Sequence, residues 1–388
     1  MTDRRLFFRM CVAGAFFYCS YAMCRSPVLP LFARELGAGP ALIGVIVGTS
    51  TITGIFLKYP AGVLSDIWGR RPMLLAASGV FGFMPFAYPA LSSLSALAAT
   101  RMLHGSATAI FSPVGSAAAS DIAPIRSRGR WLATMSSLQG LGQAIAPVLA
   151  GYLLATSGFG RVFVVSGVVG VLGLVTLASA QWPERTLASR PGFIAVARGV
   201  LTDRRILTVS LAQASQFFLN GVVAAFLPLY AADVMGLGGL GIGVIVALQT
   251  AATLLSRPLF GMVSDRVGRR PLILCGLLTC TGCVFLISLT SRPWQLGAAA
   301  LVYGSGLAVT TSATAAQVTD LTRDARYGAS HGIFGTIYDV GDALGPMAAG
   351  VLVATIGLAD AFRVMAAITL VLTIAFWQLS GSWRPSTG

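Results

Sequence analysis

The 388-residue chain is 55% hydrophobic and only 10% charged, with a mean hydropathy of +0.80. A soluble domain carries about a quarter charged residues, so a soluble enzyme, a disordered protein and a secreted disulfide scaffold are excluded. Lys+Arg is 27 against 13 Asp+Glu, a net charge of +14, and every cation except Lys58 is arginine. The arginines fall in short stretches between apolar runs, a pattern that anchors loops on one membrane face and argues against nucleic-acid binding.

About 20 mainly apolar residues suffice to cross a bilayer. The first such run, 9–32, follows Arg4, Arg5 and Arg9 as a signal peptide would. Its apolar character continues past any cleavage site, which predicts a retained helix. Runs at 41–63, 72–91, 95–118, 131–153 and 162–181 follow, then a polar linker at 182–205. Six more come after it: 206–231, 241–262, 271–290, 295–317, 329–354 and 361–380. The expected organisation is a six-span bundle over 1–181, the linker, and a second bundle over 206–388. Twelve spans return the C-terminus to the side of the N-terminus. With both termini cytoplasmic, inside segments hold 19 cations and outside loops four: Arg34, Arg161, Arg292 and Arg363. That asymmetry predicts an integral protein of the cytoplasmic (bacterial inner) membrane. Cys280-x-x-Cys283 has no second pair, and the chain has only two histidines. The six cysteines therefore read as small apolar residues, with no metal, cofactor or disulfide expected.

A fixed internal repeat organises these spans. Shifted by 199 residues, I-G-V-I-V at 43–47 recurs at 242–246, and G-V-L-S-D-I-W-G-R-R-P at 62–72 returns as G-M-V-S-D-R-V-G-R-R-P at 261–271. Asp121 falls on Asp320, Pro147 on Pro346 and Gly151 on Gly350. Both copies start from the same side, so the halves are parallel repeats about an axis along the membrane normal. Two such bundles around a midplane site are suited to rocking, which is a transporter's motion.

At these residues the chain resembles the major facilitator superfamily over its whole length. The eleven-residue element between spans 2 and 3, and its second copy between spans 8 and 9, carry the resemblance. R-M-L-H-G-S-A-T-A at 101–109 is similar to the arginine motif of drug:proton antiporters. G-Q-A-I-A-P-V-L-A-G at 142–151 is similar to their span 5 motif, except that Ala146 stands where glycine usually precedes proline. The resemblance implies an all-α fold of twelve transmembrane helices in two pseudo-symmetric six-helix bundles. It also implies a conformational latch built from Gly62, Asp66, Arg70 and Asp121, repeated as Gly261, Asp265, Arg269 and Asp320. In similar proteins the motif carboxylate faces the positive N-terminus of span 11, and Gly62 lets that helix approach.

Charges inside spans are expensive and mark functional candidates. Lys58 and Arg257 each lie eight residues before a motif aspartate, about 12 Å below the surface. Arg25 precedes Pro27 and Pro30, favouring a broken, cavity-lining segment; Arg101 either joins the cavity or snorkels to the outer face. Arg25, Arg101, Arg257 and Gln143 are the candidate substrate contacts, fitting an anionic or amphipathic small molecule. The only acids within spans are Asp339 and Asp342, on one face of span 11. With Lys58 as counter-charge they are the candidate proton-coupling site, against the alternative of a static salt bridge. His104 is either a further proton site or a packed neutral histidine.

The reading is a monomeric secondary transporter exporting small organic molecules in exchange for protons. Its partners are a small-molecule substrate, protons and the bilayer, without nucleic acid. The rivals are proton-coupled uptake or facilitated diffusion, and a non-transporting membrane sensor or scaffold. An integral-membrane enzyme is weakest, because no catalytic constellation is visible.

Overall fold

The computed structural model describes residues 2–124, 127–182, 203–322 and 327–381. Most of the expected linker, 183–202, and the loop arginines Arg126, Arg323, Arg326 and Arg384 lie outside the described residues. The described chain is helical throughout, as lipid requires, because a helix satisfies its own backbone polar groups. In the N-terminal half, α1 (Thr2–Arg25) and α2 (Val28–Glu35) together form the first span. They are interrupted where Pro27 has no N–H to continue the ladder. Next come α3 (Pro40–Trp68), α4 (Arg70–Phe83) with a 3₁₀ turn at Met84–Ala90, and α5 (Leu94–Ile122). The 51-residue α6 (Arg128–Ala178) contains two spans, separated at Gly158 where φ is 77°. The C-terminal half is α7 (Arg204–Asp233), α8 (Gly239–Val267), α9 (Arg269–Ile287), α10 (Pro293–Leu321), α11 (Tyr327–Ile356) and α12 (Leu358–Leu379).

Among the described residues ten helical stretches are long and apolar enough to cross a membrane. Counting α6 twice and adding α5, which has the length but more polar residues, gives the twelve spans. The helices overrun the apolar runs by a few residues. Hydropathy marks the hydrocarbon zone, about 30 Å thick, and the helices continue into the headgroup layer.

The duplication is written in the backbone. The six glycines with positive φ form three pairs at the 199-residue offset: Gly37 with Gly236, Gly69 with Gly268, and Gly158 with Gly357. Gly69 and Gly268 matter most. At φ of 94° and 95° they turn the chain sharply between spans, a conformation that L side chains rarely adopt.

The chain divides into two compact units that exchange short segments. The first comprises Met1–Ala38, Thr49–Arg190 and Leu237–Ala247; the second comprises Gly39–Gly48, Pro191–Gly236 and Leu248–Gly388. Each unit is held together by helices touching backbone to backbone at glycine. In the first, α1 packs on α6, where a Cβ at Gly142 would collide with the carbonyl oxygen of Ala15. In the second, α7 packs on α11, and a Cβ at Gly341 would collide with the carbonyl of Ala214. Gly105 against Ser50 and Gly304 against Gln249 repeat the device. These are equivalent residues meeting equivalent acceptors. Small residues permit this approach, and in lipid close packing replaces the hydrophobic force between helices.

Gly142→Ala and Gly341→Ala are each expected to lower stability by about 1–3 kcal/mol through overpacking. Gly79→Ala, where a Cβ meets no atom within 4 Å, should be close to neutral. Thermal unfolding of the purified variants in detergent measures the difference.

Candidate functional site

The motif between α3 and α4 builds a guanidinium clamp. Gly69 ends α3 and Arg70 opens α4, so the arginine turns back over the preceding helix. Arg70 pairs with Asp66 at 2.6 Å and with Asp121 of α5 at 3.1 Å, and it donates to the Ser65 hydroxyl. One side chain thus ties α3, α4 and α5 together. The second copy matches residue for residue: Arg269 reaches Asp265 at 2.6 Å, Asp320 at 3.0 Å and the Ser264 hydroxyl at 2.9 Å. Ser65 and Ser264 are both buried, and neither is singled out by sequence reasoning. The available signal was the serine directly before each motif aspartate, repeated at the same offset. A Cβ at Gly62 or Gly261 meets no atom of the described residues within 4 Å. The Gly62 carbonyl instead accepts a hydrogen bond from Ser65.

Arg101 turns inward, which resolves the choice between snorkelling and burial. It is fully enclosed in the first unit, donating to Tyr88 Oη at 3.2 Å, Tyr21 Oη at 3.3 Å and Ser50 Oγ at 3.1 Å. Its guanidinium carbon lies 5.2 Å from the centre of the Tyr21 ring. Among the described residues no carboxylate pairs with it; hydroxyl oxygens and an aromatic face bear the charge. His104 is enclosed beside it, 3.1 Å from Tyr88 through Nδ1. Tyr88 Oη thus links the Arg101 guanidinium to the His104 ring, and which of Oη and Nδ1 donates follows the imidazole tautomer. Tyr21 and Tyr88, which complete this cluster, are also absent from the sequence candidates. In a run of aromatics nothing distinguishes a hydroxyl aimed at a buried cation.

Asp339 and Asp342 are the only buried carboxylates among the described residues, each 6% exposed on α11. The Asp342 carboxylate accepts from Asn220 Nδ2 of α7 at 3.1 Å. Asn220 is the chain's only asparagine, a signal that the sequence does carry. Arg25 ends α1, half-buried; Lys58 lies half-buried in α3; Gln143 is half-buried on α6 and Arg257 exposed on α8. All six cysteines are free thiols, with Cys280 and Cys283 buried in α9.

Duplicated helices, paired clamps and intramembrane charges define a membrane transporter, and sequence comparison states which kind. The profile of the Major Facilitator Superfamily matches residues 10–248 and again 209–386, and the chain belongs to that superfamily. It is 25% identical over 370 residues to the multidrug resistance protein MdtG of Escherichia fergusonii, spanning 91% of this chain and 89% of that one. To the multi-drug resistance efflux pump PmrA of Streptococcus pneumoniae it is 23% identical over 351 residues, 85% of each chain. Its fold matches a crystallised bacterial homolog to the human lysosomal transporter Spinster, with a TM-score of 0.85 over 99% of both chains at 14% identity. The protein is an integral membrane transporter of small molecules, not an enzyme, and it resembles the drug:proton antiporters.

The two clamps differ in burial. Arg70 is 8% exposed with partners at 26% and 30%; Arg269 is 20% exposed with partners at 67% and 47%. Arg70→Ala should therefore cost about 2–3 kcal/mol, just below the range for fully buried pairs. Arg269→Ala should cost about 1 kcal/mol, the value for exposed pairs. Unfolding temperatures of the two variants test the ordering.

Proposed function

We propose that this protein exports small organic molecules across a cytoplasmic membrane in exchange for protons, working as a monomer by alternating access. The observation that carries the reading is the carboxylate pair of α11, buried where ionisation is expensive and set on one helix face. A group placed there lowers its cost by binding a proton, and a conformational change that alters its hydration changes how firmly the proton is held. Proton binding then favours one conformation over the other, which is the linkage that coupling needs. Asn220 holds Asp342 in register. The relatives named for multidrug resistance and efflux support the outward direction.

Arg25 and Arg257 are the substrate contacts in this reading, each offering a guanidinium to a carboxylate or another anionic group. The clamps centred on Arg70 and Arg269 hold the loop ends during the cycle, and Asp66 and Asp265 take part in the latch. Arg101 belongs to the frame of the first unit, since Tyr88, Tyr21 and Ser50 already engage it. Uptake by symport is the rival within transport.

Dissipating the proton gradient should raise substrate accumulation in cells that express an exporter; a fall would assign symport instead. In reconstituted vesicles, Asp342→Asn is expected to abolish gradient-driven transport while leaving substrate exchange intact. Normal concentrative transport in both Asp342→Asn and Asp339→Asn would remove these residues from coupling.

A further inference from the structure

The duplication packs one groove shut and leaves its twin open. In the second unit Thr208, Leu211, Ser215 and Phe218 of α7, Leu344 of α11 and Ala375 of α12 line a cleft of about 280 Å³. Moved back by 199 residues, Thr208 becomes Arg9, Ser215 becomes Phe16, and Leu372, also in the lining, becomes Gly173. At that place in the first unit a Cβ on Gly173 would lie 2.6 Å from Phe17 and 3.1 Å from Phe16, and Arg9 donates to the Ser179 carbonyl. Glycine there lets α1 and α6 close on each other. Leucine on one wall and serine, in place of phenylalanine, on the other leave α7 and α12 apart.

The length, lining and charge of the open cleft identify what fills it. Its α7 wall runs from Thr208 to Phe218, about 15 Å, which is the hydrocarbon depth of one leaflet. The lining is apolar, and Leu211, Leu344 and Leu379 at its rim are each at least 50% exposed. Exposed leucines on spanning helices meet lipid tails, so the cleft opens on hydrocarbon. One turn before Thr208 the same face of α7 carries Arg204 and Arg205, both exposed, at i−4 and i−3. The neighbouring acid, Asp203, is turned to the helix start, where its Oδ1 accepts from the N–H groups of Arg205 and Ile206. Arg270, beside the clamp arginine, donates to Ser380 Oγ and to the Trp377 carbonyl, each at 2.9 Å. These bonds put the end of α12, and with it the mouth of the cleft, on the clamp side of the membrane.

We propose that this cleft holds one acyl chain of an anionic phospholipid whose phosphate rests on Arg204 and Arg205. Charge complementarity selects the headgroup, since basic side chains at the end of a span attract anionic lipid heads. An apolar cleft of leaflet length, open to hydrocarbon, selects the tail. Charge alone is not enough. T-D-R-R at 2–5 opens α1 just as T-D-R-R at 202–205 opens α7, and Arg4 and Arg5 are likewise exposed, yet the groove beside them is closed. The first unit thus has the cations without the cleft. Gly341 belongs to the lining, so an occupied cleft backs the α7–α11 contact from the lipid side. The site is independent of the transport direction and the proton coupling proposed above.

The test places the purified full-length transporter in phosphatidylcholine nanodiscs containing a little phosphatidylglycerol with a photoreactive diazirine in mid-chain. Peptide mass spectrometry then maps the adducts. Adducts at the cleft should exceed those from a phosphatidylcholine probe with the same chain about tenfold, an effect for which two arginines near the surface suffice. They should also exceed, severalfold, the phosphatidylglycerol adducts on the closed groove of α1 and α6. Arg204→Gln/Arg205→Gln should lower the phosphatidylglycerol adducts to the phosphatidylcholine level. Ala375→Phe, which fills the cleft, should remove the adducts of both probes; should it fold poorly, the exposed arginine pair still decides. Excess inorganic phosphate should leave the labelling unchanged, and displacement by it would make the site one for free anions and overturn the lipid. Equal cleft labelling by the two probes, or equal labelling of the cleft and the closed groove, overturns the proposal. A dimer whose cleft excludes both probes assigns the cleft to a second copy and overturns it as well.

Discussion

Helices in lipid gain nothing from hiding apolar surface from one another, because the solvent is already apolar. Contact area and backbone proximity have to hold them, and here that constraint is met at glycine. Gly142 against Ala15 and Gly341 against Ala214 bring α1 to α6 and α7 to α11 at distances that no larger residue allows. Asp339 and Asp342 sit on α11 of the second pair, and Arg25 on α1 of the first. Asp342 lies one residue after Gly341, and Gln143 one residue after Gly142. These two side chains are thus placed by the same contacts that hold each unit together.

Duplication explains how one sequence device serves twice. The Gly69 turn delivers Arg70 onto Asp66, Asp121 and Ser65, and the Gly268 turn delivers Arg269 onto Asp265, Asp320 and Ser264. A positive-φ glycine followed by arginine at the first helical position is what the geometry needs, since the side chain has to fold back across the turn. The copies differ in environment, with the first more enclosed.

The interiors diverge further. One unit encloses an arginine that no described carboxylate pairs with, held by Tyr21, Tyr88 and Ser50 beside an aromatic core. The other encloses two carboxylates beside a core of glutamine and threonine. A buried guanidinium keeps its proton at any accessible pH, so the first unit carries a fixed charge. A carboxylate is able to change its protonation state. Duplication followed by this division leaves a buried cation in one half and buried carboxylates in the other.

Sequence alone determined the solvent, the twelve spans, the repeat and the clamp residues, because each is a one-dimensional property: hydropathy over about 20 residues, or recurrence at a fixed offset. Asp339 and Asp342 were also visible, since an acid inside an apolar run has no bland composition around it. Only the tertiary structure decided that Arg101 points inward and that Tyr88 bonds both to it and to His104. The same holds for Asn220, whose role depends on Asp342, a partner far along the chain. Helix rotation is the physical reason. A span that is apolar on most faces has almost no amphipathic signal to say which side turns toward a neighbour, so only packing at the glycines settles what each polar side chain meets.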